Sequence, residues 1–159
     1  MTKNSKIDKY FSKHYDEKQL IDRYRISFET MTFTFLLIIM GGMVKIFHGP
    51  WAAANTEMVV LISIPFTYFI YCTVMKGAYF SKKEKHTTFA LILFTLIGVL
   101  NIATIITCVM RGFPLVENGI LTENLFQFFL ALPFFSIPIA YLIKKMSDKN
   151  EDDEEENNE

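Results

Sequence analysis

Four stretches without a single charged side chain dominate this sequence. They are Thr30–Val44 with 15 residues, Met58–Met75 with 18, Thr87–Met110 with 24 and Asn124–Ile143 with 20. About 20 residues of helix cross a hydrocarbon layer of roughly 30 Å, so the last three runs reach or approach spanning length alone. The first falls short, at about 22 Å of helix. It reaches full length when Phe28 and Glu29 lie in the interface at one end and Lys45 extends its stem outward at the other. A soluble bundle would keep a polar face along each run, and Leu91–Leu100 (LILFTLIGVL) has none. The expected fold is all-α, a four-helix transmembrane bundle with spans at about 28–47, 58–76, 87–110 and 124–143. The first run begins too late for a signal peptide and no clean small-residue cleavage site follows it, so this span is expected to stay in the mature protein.

Charge is distributed unevenly. The net charge is −1, but the segment Asp148–Glu159 alone sums to −7, so the rest of the chain carries +6. Seven Lys and Arg precede the first span, four lie between the second and third, and three follow the fourth. The other two loops hold only Lys45 and Arg111. Basic residues mark the cytoplasmic side of membrane helices, so both termini are expected there, in a multi-pass protein of the cell membrane. The chain divides into a basic amphipathic cytoplasmic segment (1–27), the four spans (28–146) and an acidic tail (147–159) too polar to fold. Aromatic residues agree with this layout: Trp51 lies at headgroup depth in the first outer loop, and Tyr79, Phe80 and Tyr141 lie near inner ends.

The residues inside the spans narrow the function. No Asp, Glu, Arg or His falls at mid-depth, and proton relays, ion pumps and voltage sensors need such residues. Asn101 and Gln127 are the amides well within spans, and each needs a hydrogen bond inside the bundle. They form interhelical bonds or line a polar cavity. Gly41 and Gly42, Pro65, Pro133 and Pro138 allow close approach or kinks. Cys72 and Cys108 lie toward opposite ends, at heights differing by on the order of 20 Å, too far apart for a disulfide. Lys45, His48, Glu57 and Arg111 are candidates for a small outer polar site; the simpler alternative is an ion pair of Lys45 with Glu57. Motifs of metalloproteases, serine hydrolases, P-loop enzymes and dithiol redox proteins are missing. His14, His48 and His86 fall on different segments, so no shared metal site and no cofactor is expected.

The stretch before the first span has its own pattern. Ile7, Tyr10, Phe11, His14, Leu20, Ile21, Tyr24 and Phe28 fall roughly on one helical stripe, broken near Glu17, and Lys6, Lys9 and Lys13 share a neighbouring face. Such a helix can lie in the inner interface, and Lys6, Lys9, Lys13, Arg23 and Arg25 are the candidate contacts to anionic headgroups. Spacing allows Arg25 to pair with Asp22 or Glu29.

Asp16-Glu17-Lys18-Gln19, followed by Arg23 or Arg25 and then a hydrophobic span, resembles a juxtamembrane Asp-Glu-Lys/Arg-Gln motif followed closely by an Arg. That motif occurs in small four-helix membrane proteins of low-GC Gram-positive bacteria, often encoded beside small helix-turn-helix regulators. The resemblance implies a membrane-resident regulatory or protective role and supplies no active site; the acidic tail is not part of it. The expected function is therefore non-enzymatic: a regulatory, immunity or accessory subunit acting through protein–protein or lipid contacts. Its expected partners are a bilayer with an anionic inner leaflet and another membrane protein or a second copy, without nucleic acid. The alternative is a small transporter or channel component working as an oligomer.

Overall fold

The computed structural model of the chain describes residues 16–79 and 87–156. The chain is mostly helical, and four of its helices are long and apolar enough to cross a membrane. Helix α1 (Glu17–His48) is continuous over 32 residues, about 48 Å at 1.5 Å per residue. The charged stretch and the first apolar run are thus one helix. Its start is fixed by a capping box. The Asp16 side chain accepts from the backbone N–H of Glu17 at 2.9 Å, and the Asp16 N–H donates to Gln19 Oε1 at 3.0 Å. These bonds satisfy amides that have no partner within the helix.

Helix α2 (Ala54–Met75) passes through Pro65 without a break. It ends where Gly77 adopts φ +66°. There Gly77 N–H donates to Val74 O at 2.9 Å and Ala78 N–H to Thr73 O at 2.8 Å, a Schellman closure that needs the left-handed conformation glycine takes without strain. Helix α3 (Thr87–Met110) closes the same way on Gly112. A two-stranded hairpin, β1 (Val116–Glu117) and β2 (Ile120–Leu121), follows. One 3-10 turn (Glu123–Leu125) leads into α4 (Phe126–Glu156).

Helix α4 extends past the expected fourth span and through most of the acidic segment, where composition predicts disorder. The segment 144–156 contains no Gly or Pro, and a helix already formed propagates at little cost through Glu and Lys.

The helices pack in the order α1, α2, α4, α3, with α4 between α2 and α3. The core lies between α2 and α4, where Ile70 and Val74 meet Ile137 and Ala140. Leu91 and Phe94 of α3 and Tyr141 of α4 pack around it. On α3, the ring of Phe135 comes so near Gly98 that an added Cβ would lie 3.0 Å from it. Two buried hydroxyls of α2 and α4 are satisfied within their own helices: Thr73 donates to Phe69 O at 2.8 Å and Ser136 to Pro133 O at 2.7 Å. Pro133 and Pro138 both sit inside the continuous α4.

Helix α1 differs from the rest. It packs mainly on α2, and Ile26 is its buried residue. The remaining apolar surface faces outward, including Phe35, Ile39, Met43 and Ile46 on α1 and Ile92, Leu96 and Leu100 on α3. Contiguous exposed apolar surface on this scale is foreign to a protein bathed in water.

Candidate functional site

Polar side chains gather at the two ends of the helices. At one end, Asn118 and Gly119 take φ +52° and +78°, the positive values that a two-residue hairpin turn of type I′ requires. The hairpin they close is joined to the α1–α2 loop. Leu121 N–H donates to Trp51 O at 3.0 Å, and Ala53 N–H donates to Leu121 O at 2.8 Å. Beside this bridge the fully buried Thr56 hydroxyl donates to Thr122 O at 2.9 Å. The Asn55 amide donates to Glu123 Oε1 at 3.0 Å. Thr122 Oγ1 and Asn124 Nδ2 both donate to Pro114 O, at 2.7 and 2.8 Å. The two loops at this hairpin end thus form one hydrogen-bonded cap.

Under the cap, Lys45 Nζ lies 2.5 Å from Glu57 Oε2. Glu57 stands in the first turn of α2, where the helix dipole favours a negative charge. The expected four-residue site does not assemble. His48 and Arg111 are exposed, and among the described residues neither side chain makes a hydrogen bond or ion pair. The chain ends α1 at His48 and reverses α3 at Arg111, so both side chains project from helix ends toward the surroundings. What remains is the simple Lys45–Glu57 pair.

The two amides expected within the spans part as well: Asn101 lies in the middle of α3, whereas Gln127 stands in the first turn of α4. Asn101 Nδ2 donates to Ile97 O at 2.8 Å, within its own helix. A carbonyl four residues back is always in reach, so this donor requires no second helix. Gln127 is half-buried and lines a cleft of about 520 Å³ with Asn55, Thr104, Cys108, Glu123 and Asn124. Asn101 is not among the residues lining it. Both cysteines are free, and among the described residues no group of three His, Cys, Asp or Glu could hold a metal ion.

At the opposite end the charged stretch meets the α2–α3 turn. Gln19 completes the capping box and also donates from Nε2 to Gly77 O at 2.7 Å. Asp22 lies 3.7 Å from Lys76. Tyr68 OH donates to Glu29 Oε2 at 3.3 Å, and Arg25 pairs with Glu29 at 3.0 Å. Of the candidate headgroup contacts, Arg25 is exposed and Arg23 half-buried, while Lys6, Lys9 and Lys13 lie outside the described residues. Ile21, Tyr24 and Phe28 are exposed along one side of α1. Asp22 turns away from Arg25 toward Lys76, so the charged stretch clasps the end of α2. Sequence reasoning missed Gln19, Asp22, Lys76 and Gly77 as partners. The visible signal was the Asp16-x-x-Gln19 spacing of a capping box.

Comparison with known proteins finds no match: no family model, no curated protein and no solved structure corresponds to this chain.

Proposed function

We propose that this chain is a non-enzymatic integral membrane protein of the cell membrane. It crosses four times with both termini cytoplasmic and acts as a regulatory, immunity or accessory subunit by touching another membrane protein. The observation that carries this reading is the state of α1. It is a 32-residue helix of spanning length and apolarity, yet it packs mainly on a single neighbour. Its far side offers Phe35, Ile39, Met43 and Ile46 to whatever lies beside it. The distribution of Lys and Arg supports the orientation. Polar links at both ends of the α1–α2 seam favour a fixed shape over the rocking that alternating access requires. The juxtamembrane resemblance points the same way.

The second reading, a transporter or channel component, draws on the cleft at the hairpin end, which brings Gln127 and Thr104 beside Glu123.

Photo-crosslinking separates them. A photoreactive residue replacing Phe35 or Ile39 on α1 is expected to trap a discrete membrane protein or a second copy in intact cells. The same residue replacing Leu96 on α3 is expected to trap lipid. Lipid adducts alone at all three positions would refute the α1 interface.

A further inference from the structure

We propose that the notch between the α2–α3 turn and α4 binds the phosphate of an anionic lipid headgroup, with Lys144 as the principal contact and Lys76 beside it. The proposal rests on the membrane reading above and gives it a specific lipid site on the cytoplasmic side.

Lys76 is the first charge after the uncharged run Met58–Met75, and Lys144 the first after Asn124–Ile143. Two separate spans therefore place an ammonium at the same boundary of the hydrocarbon layer, where phosphates lie.

A lysine at the end of a span ordinarily extends its stem toward water. Lys144 is instead half-buried and lies across the neighbouring helix's cap. Its Nζ comes so close to Gly77 that a Cβ there would lie 2.5 Å from it. Gly77 needs its φ of +66° for the turn, and its bare Cα also leaves room for this ammonium.

Among the described residues Lys144 has no hydrogen-bond or ion-pair partner. Asp22, an acid at this end of the α1–α2 seam, is engaged by Lys76 at 3.7 Å. That distance is long, and the Lys76 side chain stays 48% exposed. Gln19 is committed to Gly77 O. A half-buried ammonium without an anion is costly, and the removal of water by lipid makes it costlier. A phosphodiester answers the need, because it has acceptors and no donors, and lysine binds phosphate as a point charge.

The test uses the full chain in nanodiscs of equal phosphatidylglycerol and phosphatidylcholine. These are then exchanged into neutral detergent, and retained lipid is counted by native mass spectrometry. The wild type is expected to retain phosphatidylglycerol in preference to phosphatidylcholine. Lys144→Gln should lower that retention by about tenfold or more, the size of one charge-assisted contact. Lys145→Gln removes the same charge one residue further on and should leave retention within about twofold, because exposed charges contribute little. Lys144→Arg should keep most of it, and thermal melting checks that each variant is folded. Equal losses for Lys144→Gln and Lys145→Gln would mean diffuse attraction and would overturn the site. So would equal retention of the two lipids by the wild type. Displacement of the lipid by millimolar inorganic phosphate would overturn the lipid assignment in favour of a soluble anion. Failure of the membrane reading looks different: the chain would not enter the nanodisc.

Discussion

Lys45 and Glu57 are unequal partners, and cutting their ion pair from either side should give unequal losses. The charged atoms lie 2.5 Å apart, but the lysine side chain is 46% exposed and the glutamate side chain 12%. Breaking a fully buried pair costs about 3–5 kcal/mol, because the surviving charge is stranded. Breaking a fully exposed one costs about 0.2–1 kcal/mol. Lys45→Met strands the less exposed member, with the dipole of α2 still offering some compensation. An intermediate loss of about 1–2 kcal/mol follows. Glu57→Gln strands the half-exposed lysine, which can swing to water, and the glutamine keeps the volume; about 0.5–1 kcal/mol follows. The double variant should show a coupling of about 1 kcal/mol. Reversible unfolding in mixed micelles of rising SDS content gives these differences. Trp51, the one tryptophan, lies in the adjoining loop and reports locally. A larger loss for Glu57→Gln than for Lys45→Met would refute the reasoning, since burial would then not be setting the cost.

Two further predictions follow from the fold and the orientation. Gly98→Val should weaken the α3–α4 contact by about 1–3 kcal/mol through overpacking, because even a Cβ at Gly98 meets the Phe135 ring at 3.0 Å; the same micelle titration measures it, and an unchanged midpoint would show that the ring moves aside freely. In a variant lacking Cys72 and Cys108, a cysteine at the exposed hairpin tip Asn118 should label from outside intact cells, while one at Ser147 should label only after the membrane is opened; the reverse pattern would invert the topology.

The four long apolar helices were legible because charge exclusion is a property of local composition. Any helix meeting hydrocarbon must lose its charges over about 20 residues, and Thr87–Met110 shows this without a neighbour. The helix boundaries were less legible. Composition places the first span at about 28–47, whereas the helix runs from Glu17 to His48. Charges do not stop a helix, and Asp16 with Gln19 starts one. In the acidic segment composition spoke against folding, but α4 was already nucleated next to it. The Asn118-Gly119 turn could have been read from its dipeptide, and Gly77 and Gly112 from their places just after long apolar runs.

Which polar groups meet was not legible, because the pairing is long-range. Gln19 reaches Gly77 across 58 positions, and Thr56 reaches Thr122 across 66. No periodicity encodes such partners. The middle of the apolar helices shows why these pairs lie toward the ends. There the hydroxyls of Thr34, Thr95 and Thr104 and the amide of Asn101 all donate to carbonyls four residues back in their own helices. A polar group at mid-span that is satisfied at home neither needs nor selects a neighbour. Helix pairing in the middle is then left to shape, as where Phe135 meets Gly98 and where Ala131 and Ala140 are buried. Helix α1 has little of this shape complementarity, with Ile26 as its buried residue. Its position on α2 therefore depends more than any other helix's on polar bonds at the two ends: Lys45 with Glu57 at one, and Gln19, Asp22 and Glu29 at the other. Attached by its ends, α1 leaves Phe35, Ile39, Met43 and Ile46 uncovered by the rest of the described chain, and this is the face that the proposed partner would meet.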